Sequence, residues 1–198
     1  MVYLYNLRIK DVNKIMSKIR LSDTTFIIPF FYDHKERLEN LNCILKFLTD
    51  NFETNIIISE SGEVSRKREF YSGFEYLHIF EDRNDGVFHR TKVINNGIKE
   101  AETPYIAVYD SDVIFEPKNI LKAVECLMDG ATLAYPYSGN FIDVNRSYIQ
   151  DGIIVERESF TMDSYGGAFF VNREDYWKCG LDYEEFVAWC PDDIERVT

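Results

Sequence analysis

A chain of 198 residues suits one domain with a sizeable core, or one domain plus part of a second. Its composition (45% hydrophobic, 28% charged) is that of a globular protein, and its aromatic residues, 15% of the total, can fill a core or line a groove for sugars or bases. A net charge of −12 argues against nucleic acid as a partner, and an anionic ligand would need a cation between itself and the protein.

Residues 1–22 read as a separate basic segment. Arg8, Lys10, Lys14, Lys18 and Arg20 face a single acid, Asp11, within the first twenty positions. Val12, Ile15, Met16 and Ile19 fall at helical spacing, so a basic amphipathic helix is expected. Such a helix would either touch an anionic membrane surface or stay with the domain. No secretory leader or membrane-spanning apolar run stands out. Cys43, Cys126, Cys179 and Cys190 lack paired or metal-type spacing and read as reduced thiols. The expected location is the cytoplasm, with peripheral contact at the inner face of a membrane through residues 1–20.

From residue 23 onward, short apolar runs alternate with helical patterns, the sign of a mainly parallel, Rossmann-like α/β sheet flanked by helices. Thr25 to Phe30 is the first predicted strand, and Leu38, Leu41, Leu45 and Leu48 mark one face of a helix. Strands follow at Asn55 to Ser59 and Tyr76 to Phe80. A helix is expected over Phe88 to Ala101, with Val93, Ile94 and Ile98 inward. Tyr105 to Tyr109 (YIAVY) is the best strand and runs directly into Asp110-Ser111-Asp112. Pro117 opens a helix with Ile120, Val124, Leu127 and Met128 inward, closed by Gly130. Residues 131–137 read as a strand and 138–162 as irregular or antiparallel. Gly166 and Gly167 precede the strand AFFV, Asn172 caps a short helix, and Pro191 starts a last one.

Four groups of residues have chemical promise. Asp110 and Asp112 at a strand end present two carboxylates toward one point, which suits Mg²⁺ or Mn²⁺, although Asp-x-Asp triplets also occur in ordinary turns. Asp192, Asp193 and Glu195 at a helix start fit either favourable dipole placement or a general base. Arg90 and Lys92 would meet phosphates at a helix N-terminus, or form a solvated basic turn. Gly166 and Gly167 allow close backbone approach, or simply mark strand entry. No Walker loop, Gly-x-Ser-x-Gly or Gly-x-Gly-x-x-Gly is present, which removes the commonest NTPase, hydrolase and dinucleotide readings.

Taken in order, five segments resemble the β-1,4-galactosyltransferase and bacterial chondroitin-synthase-like group of inverting glycosyltransferases. They are Ile27-Ile28-Pro29-Phe30 with the polar turn Asp33 to Arg37, Phe88-His89-Arg90-Thr91-Lys92, Asp110-Ser111-Asp112, the run from Tyr165 to Phe186, and Trp189-Cys190-Pro191-Asp192-Asp193. The resemblance spans residues 24 to 195. It implies a GT-A fold, a UDP-sugar donor, a saccharide acceptor, Mn²⁺ and a place in bacterial surface polysaccharide synthesis.

The resemblance also distributes roles. Asp112, with Asp110, would hold the metal. Pro29 and Glu60 would flank the base, Arg90 would reach a phosphate, Gly166 and Gly167 would admit the donor sugar, and Trp189 would complete the site. Asp193 would be the base and Asp192 an acceptor-binding acid. The sequence departs from the family at Cys190-Pro191, at Asp192 and at Val187-Ala188, all on the acceptor side. A metal-binding His expected beyond the acid pair has no counterpart here, so either the metal is held by fewer protein ligands or the domain over 23–198 is incomplete at its C-terminus. Two rivals share parts of the pattern: a haloacid-dehalogenase-like phosphatase, and a non-catalytic module that binds nucleotide-sugar only.

Overall fold

Strand-and-helix alternation from residue 19 onward builds a six-stranded mixed sheet with helices on both faces, beside two smaller sheets. The computed structural model describes residues 2–4, 17–144, 149–150, 153–154, 159–161 and 165–187. The elements are β1 (Val2–Leu4), β2 (Ile19–Phe31), α1 (Lys35–Asn51), β3 (Phe52–Gly62), β4 (Leu77–Asp82), α2 (Arg90–Glu100), β5 (Tyr105–Tyr109) and β6 (Val113–Ile114). They continue with α3 (Pro117–Met128), β7 (Leu133–Ala134), β8 (Phe141–Val144), β9 (Ile149–Gln150), β10 (Ile153–Ile154), β11 (Ser159–Thr161), β12 (Ala168–Asn172) and α4 (Arg173–Lys178).

The main sheet has six strands in the order β4-β3-β2-β5-β12-β7. β4, β3, β2 and β5 are mutually parallel, whereas β12 runs antiparallel to both β5 and β7. Even-numbered residues of β2 and β3 (Phe26, Ile28, Phe30, Ile56, Ile58) face α1 and α3, and odd-numbered ones (Ile27, Ile57) face α2. Both faces are therefore apolar, as a helix-covered parallel sheet demands. Leu38, Leu41, Ile44, Leu45 and Leu48 of α1 fill one side, and Ile94 and Ile98 of α2 fill the other. At Gly97, α2 lies so close to β2 that a Cβ there would stand 2.5 Å from Ile27 Cγ2. Among the described residues no helix is long and apolar enough to cross a membrane.

Several sequence expectations are corrected. β2 begins at Ile19, which pairs with Phe52 as the edge of an extended strand, so Ile19 does not continue a helix from Val12. Val12, Ile15 and Met16 lie outside the described residues. The register of β2 shifts between Leu21 and Thr25, and Asn55 and Thr54 side chains bond the carbonyls of Ser22 and Thr24 across that irregularity. Met128 is exposed (63%), because it ends the last turn of α3 after the buried row Ile120, Val124 and Leu127 has passed. The strand expected over 131–137 shrinks to Leu133–Ala134 at the sheet edge. The stretch 138–162 supplies short antiparallel strands: β8 pairs with β1 and β11, and β9 with β10.

Candidate functional site

Sheet order fixes where a ligand belongs. From β2 the chain adds β3 and β4 on one side and then crosses through α2 to place β5 on the other. The carboxyl ends of β2 and β5 therefore flank a topological switch point, where open α/β sheets leave a crevice. Asp110, Ser111 and Asp112 leave β5 at that point, and Tyr32, Asp33 and α1 leave β2 beside it.

The acids are flanked by an arginine of α2 and by the glycine pair ahead of β12. Arg90, the first residue of α2, donates from Nη2 to Asp110 Oδ1 at 2.9 Å. The Asp110 backbone N–H donates to the Gly167 carbonyl at 2.8 Å, extending the β5–β12 ladder past the last strand residue. Gly167 has φ +92°, a left-handed conformation that side chains resist, and Gly166 accepts a hydrogen bond from the Tyr137 hydroxyl. The glycine pair and the acidic triplet, far apart in sequence, thus lie side by side because β12 runs antiparallel to β5.

Electrostatics sharpen the contrast between the two acids. Asp110 has its arginine partner. Asp112 is partly buried, and burial together with the Asp110 charge pushes its carboxyl up to about 6, against the opposing pull of Arg37. Arg37 sits in the first turn of α1 and donates from Nε and Nη2 to Asp33 at 2.8 and 3.1 Å. Burial works to raise Asp33, but these bonds and the Arg37 charge hold it below its ordinary value. A carboxylate that the fold leaves short of positive charge is what a divalent cation would satisfy. Among the described residues no group of three or more His, Cys, Asp or Glu forms a cage. Mg²⁺ and Mn²⁺ suit such a sparse donor set, since Mg²⁺ in particular is held by one or two carboxylates plus ligand phosphates and waters.

The other expected site residues divide. Pro29 is buried in β2, paired with Ser59 of β3, close to the same edge. Glu60 reaches the edge on β3 but is only 1% exposed. Its carboxylate accepts from Ser65 Oγ at 3.0 Å and the Arg66 backbone N–H at 2.8 Å, and His78 Nε2 lies 2.9 Å away. Glu60 therefore shapes the following loop from inside. Lys92 does not face the acids; its Nζ is 2.9 Å from Glu81 Oε1 on β4. Burial works to raise Glu81, but Lys92 and Arg83 hold it low. Trp189, Asp192 and Asp193 lie outside the described residues. The segment Asp182 to Phe186 is tied to α2: Thr91 Oγ1 donates to the Phe186 carbonyl at 3.0 Å, and Asn95 Nδ2 to the Asp182 carbonyl at 2.8 Å.

Sequence reasoning missed three features of this edge. Tyr32 carries the Arg66 guanidinium carbon 4.0 Å over its ring. Phe31 and Phe88 stack with centroids 5.6 Å apart, joining the end of β2 to the start of α2. Tyr137 stacks on Phe115 behind the glycine pair. The i,i+4 spacing of Asp33 and Arg37 is a local signal from which their contact could have been read.

A family model described as Glycosyl transferase family 2 matches residues 25–180. No curated protein matches the chain significantly. Among solved structures, the catalytic domain of Drosophila β1,4-galactosyltransferase 7 in complex with xylobiose is 16% identical, with TM-score 0.41, over 90% of this chain and 59% of that one. A CMP:2-keto-3-deoxy-manno-octonic acid synthetase complexed with CTP is 11% identical, with TM-score 0.48, over 89% and 84%. HddC from Yersinia pseudotuberculosis is 12% identical, with TM-score 0.45, over 76% and 77%. The chain thus spans 59% of the length of the first of these.

Proposed function

The chain belongs to glycosyl transferase family 2 and has the GT-A fold, and we propose that it is a metal-dependent inverting transferase that moves a hexose or N-acetylhexosamine from a UDP-sugar to a saccharide acceptor. Membership sets aside the phosphatase alternative. The observation that carries the reading is the convergence, at the switch point, of Asp110 and Asp112, Arg90 and the Gly166-Gly167 pair.

In this proposal Asp112, assisted by Asp110, holds the cation, which when bound supplies positive charge for the departing diphosphate. Arg90, already at Asp110, reaches a phosphate oxygen and adds a fixed charge where negative charge grows. Pro29 and the edge of β3 border the base, and Gly166 and Gly167 leave room for the donor sugar. Asp193 removes the proton from an acceptor hydroxyl as that oxygen bonds to the anomeric carbon. The bond from that carbon to the UDP oxygen breaks in the same displacement, which inverts the configuration. Asp192 binds an acceptor hydroxyl, and Trp189 borders the donor. A polysaccharide acceptor at a bacterial surface fits the resemblance of the five segments.

Calorimetry tests the first step. UDP should bind with Mn²⁺ and fail to bind in EDTA, and Asp112→Ala should abolish binding while the protein stays folded. Equal UDP affinity with and without the cation would refute the metal-bridged site. Binding without sugar transfer to any saccharide would leave a nucleotide-sugar-binding module.

A further inference from the structure

Resting on the reading of this edge as a nucleotide-sugar site, we propose that Arg66 is the base-reading residue, selecting a uracil ring over adenine. The residue expected at the base, Glu60, is buried to 1% and already accepts from Ser65 and the Arg66 backbone. Its effect is to fix the chain at the tip of β3 so that the Arg66 side chain returns across the β2 edge. There the guanidinium lies 4.0 Å over the ring of Tyr32, the residue directly after β2. Arg66 and Tyr32 thereby form a wall joining the ends of β2 and β3, beside the crevice between β2 and β5.

The guanidinium has donor capacity to spare. Among the described residues its hydrogen bond runs from Nη1 to Glu69 at 3.2 Å, and Nε is buried without an acceptor. A guanidinium carries five N–H donors, so those of the part-exposed Nη1 and Nη2 that Glu69 does not take are open to an incoming acceptor, whereas the enclosed Nε is not. Uracil presents two ring carbonyl oxygens, whereas adenine presents none. An arginine whose plane is held by an aromatic ring offers donors in a fixed fork and so favours a carbonyl-bearing base. Tyr32 and Glu60 act here as positioning residues: one sets the plane of the guanidinium, the other the backbone from which it springs.

The test is calorimetry with Mn²⁺ on the full chain, with UDP, ADP and inorganic pyrophosphate as probes. The wild type should prefer UDP to ADP. Arg66→Met keeps apolar contact with Tyr32 but loses every donor; it should weaken UDP by roughly tenfold or more, about 1.4 kcal/mol, while ADP and pyrophosphate stay unchanged. Arg66→Lys should recover only part of the loss, because an ammonium lacks the planar fork. Should Arg66→Met melt far below the wild type, Tyr32→Leu replaces it and should cause the same UDP-selective loss. The proposal is overturned if the variant binds UDP like the wild type, if it loses pyrophosphate in equal measure, or if the wild type shows no preference for UDP over ADP. A wild type that binds neither UDP nor pyrophosphate with Mn²⁺ refutes the nucleotide-sugar site itself, and this inference with it.

Discussion

Replacing Asp112 with Asn should make the metal-free protein more stable while destroying its ligand response. In the fold, burial and the Asp110 charge raise this carboxyl from 3.8 to about 6. Its anion is thus disfavoured in the native state relative to the unfolded chain. Between those two pH values the folded protein keeps a proton that the unfolded one has released, so stability falls as pH rises. The penalty is absent below 3.8, grows through the window and is complete above about 6. At ~1.36 kcal/mol per pH unit the full effect is about 3 kcal/mol. Asparagine has the shape of the acid and no charge, so Asp112→Asn should recover most of it above pH 7. For a chain of this length the melting temperature should rise by roughly 6–12 °C in EDTA. Thermal melts from pH 4 to 8 provide the assay: the two proteins should converge near pH 4 and separate by pH 7. Mn²⁺ with UDP should then raise the melting point of the wild type alone. A variant no more stable than wild type at pH 8, or a gap that does not change with pH, would refute the reasoning.

Three further outcomes are expected. Asp193→Asn should keep UDP-sugar affinity and lower turnover by roughly 10²–10⁴-fold, as read by UDP release with a saccharide acceptor; transfer at the wild-type rate would return the acid group to helix-start electrostatics. Gly97→Ala should cost about 1–3 kcal/mol of stability, because the new Cβ would lie 2.5 Å from the stiff, β-branched Ile27; a melting point equal to wild type would show that α2 can move away from the sheet. Cys43, Cys126 and Cys179 are exposed and form no disulfide, so alkylation of the native, unreduced protein should label all three by mass spectrometry, and a disulfide among them would contradict the structure.

Much of the donor side was legible in the sequence because period and punctuation agree there. YIAVY is an unbroken apolar run that ends in acids, and Arg90 opens a helix whose inward row, Val93, Ile94 and Ile98, is plain. The direction of β12 was not legible. A strand buried on both faces reads the same whether it runs parallel or antiparallel, and only pairing distinguishes Ala168↔Tyr109 from its reverse. The fate of Glu60 was hidden for a different reason. Its partners come from the loop after β3 and from His78 on β4, so no local pattern reveals that its carboxylate is enclosed. Lys92 misled because a basic residue near a helix N-terminus suggests phosphate, while a carboxylate one strand away, Glu81, had already claimed it.

The antiparallel entry of β12 beside β5 also sets when the site can exist during folding. β2, α1 and β3 can associate through contacts between near neighbours in the chain, but the Asp110–Gly167 bond waits until a long intervening stretch has looped back. Closing such a loop is entropically slow compared with forming helices and adjacent strands. Ligand competence should therefore be the last property acquired on refolding, so nucleotide binding reports the complete sheet and not its first-formed half.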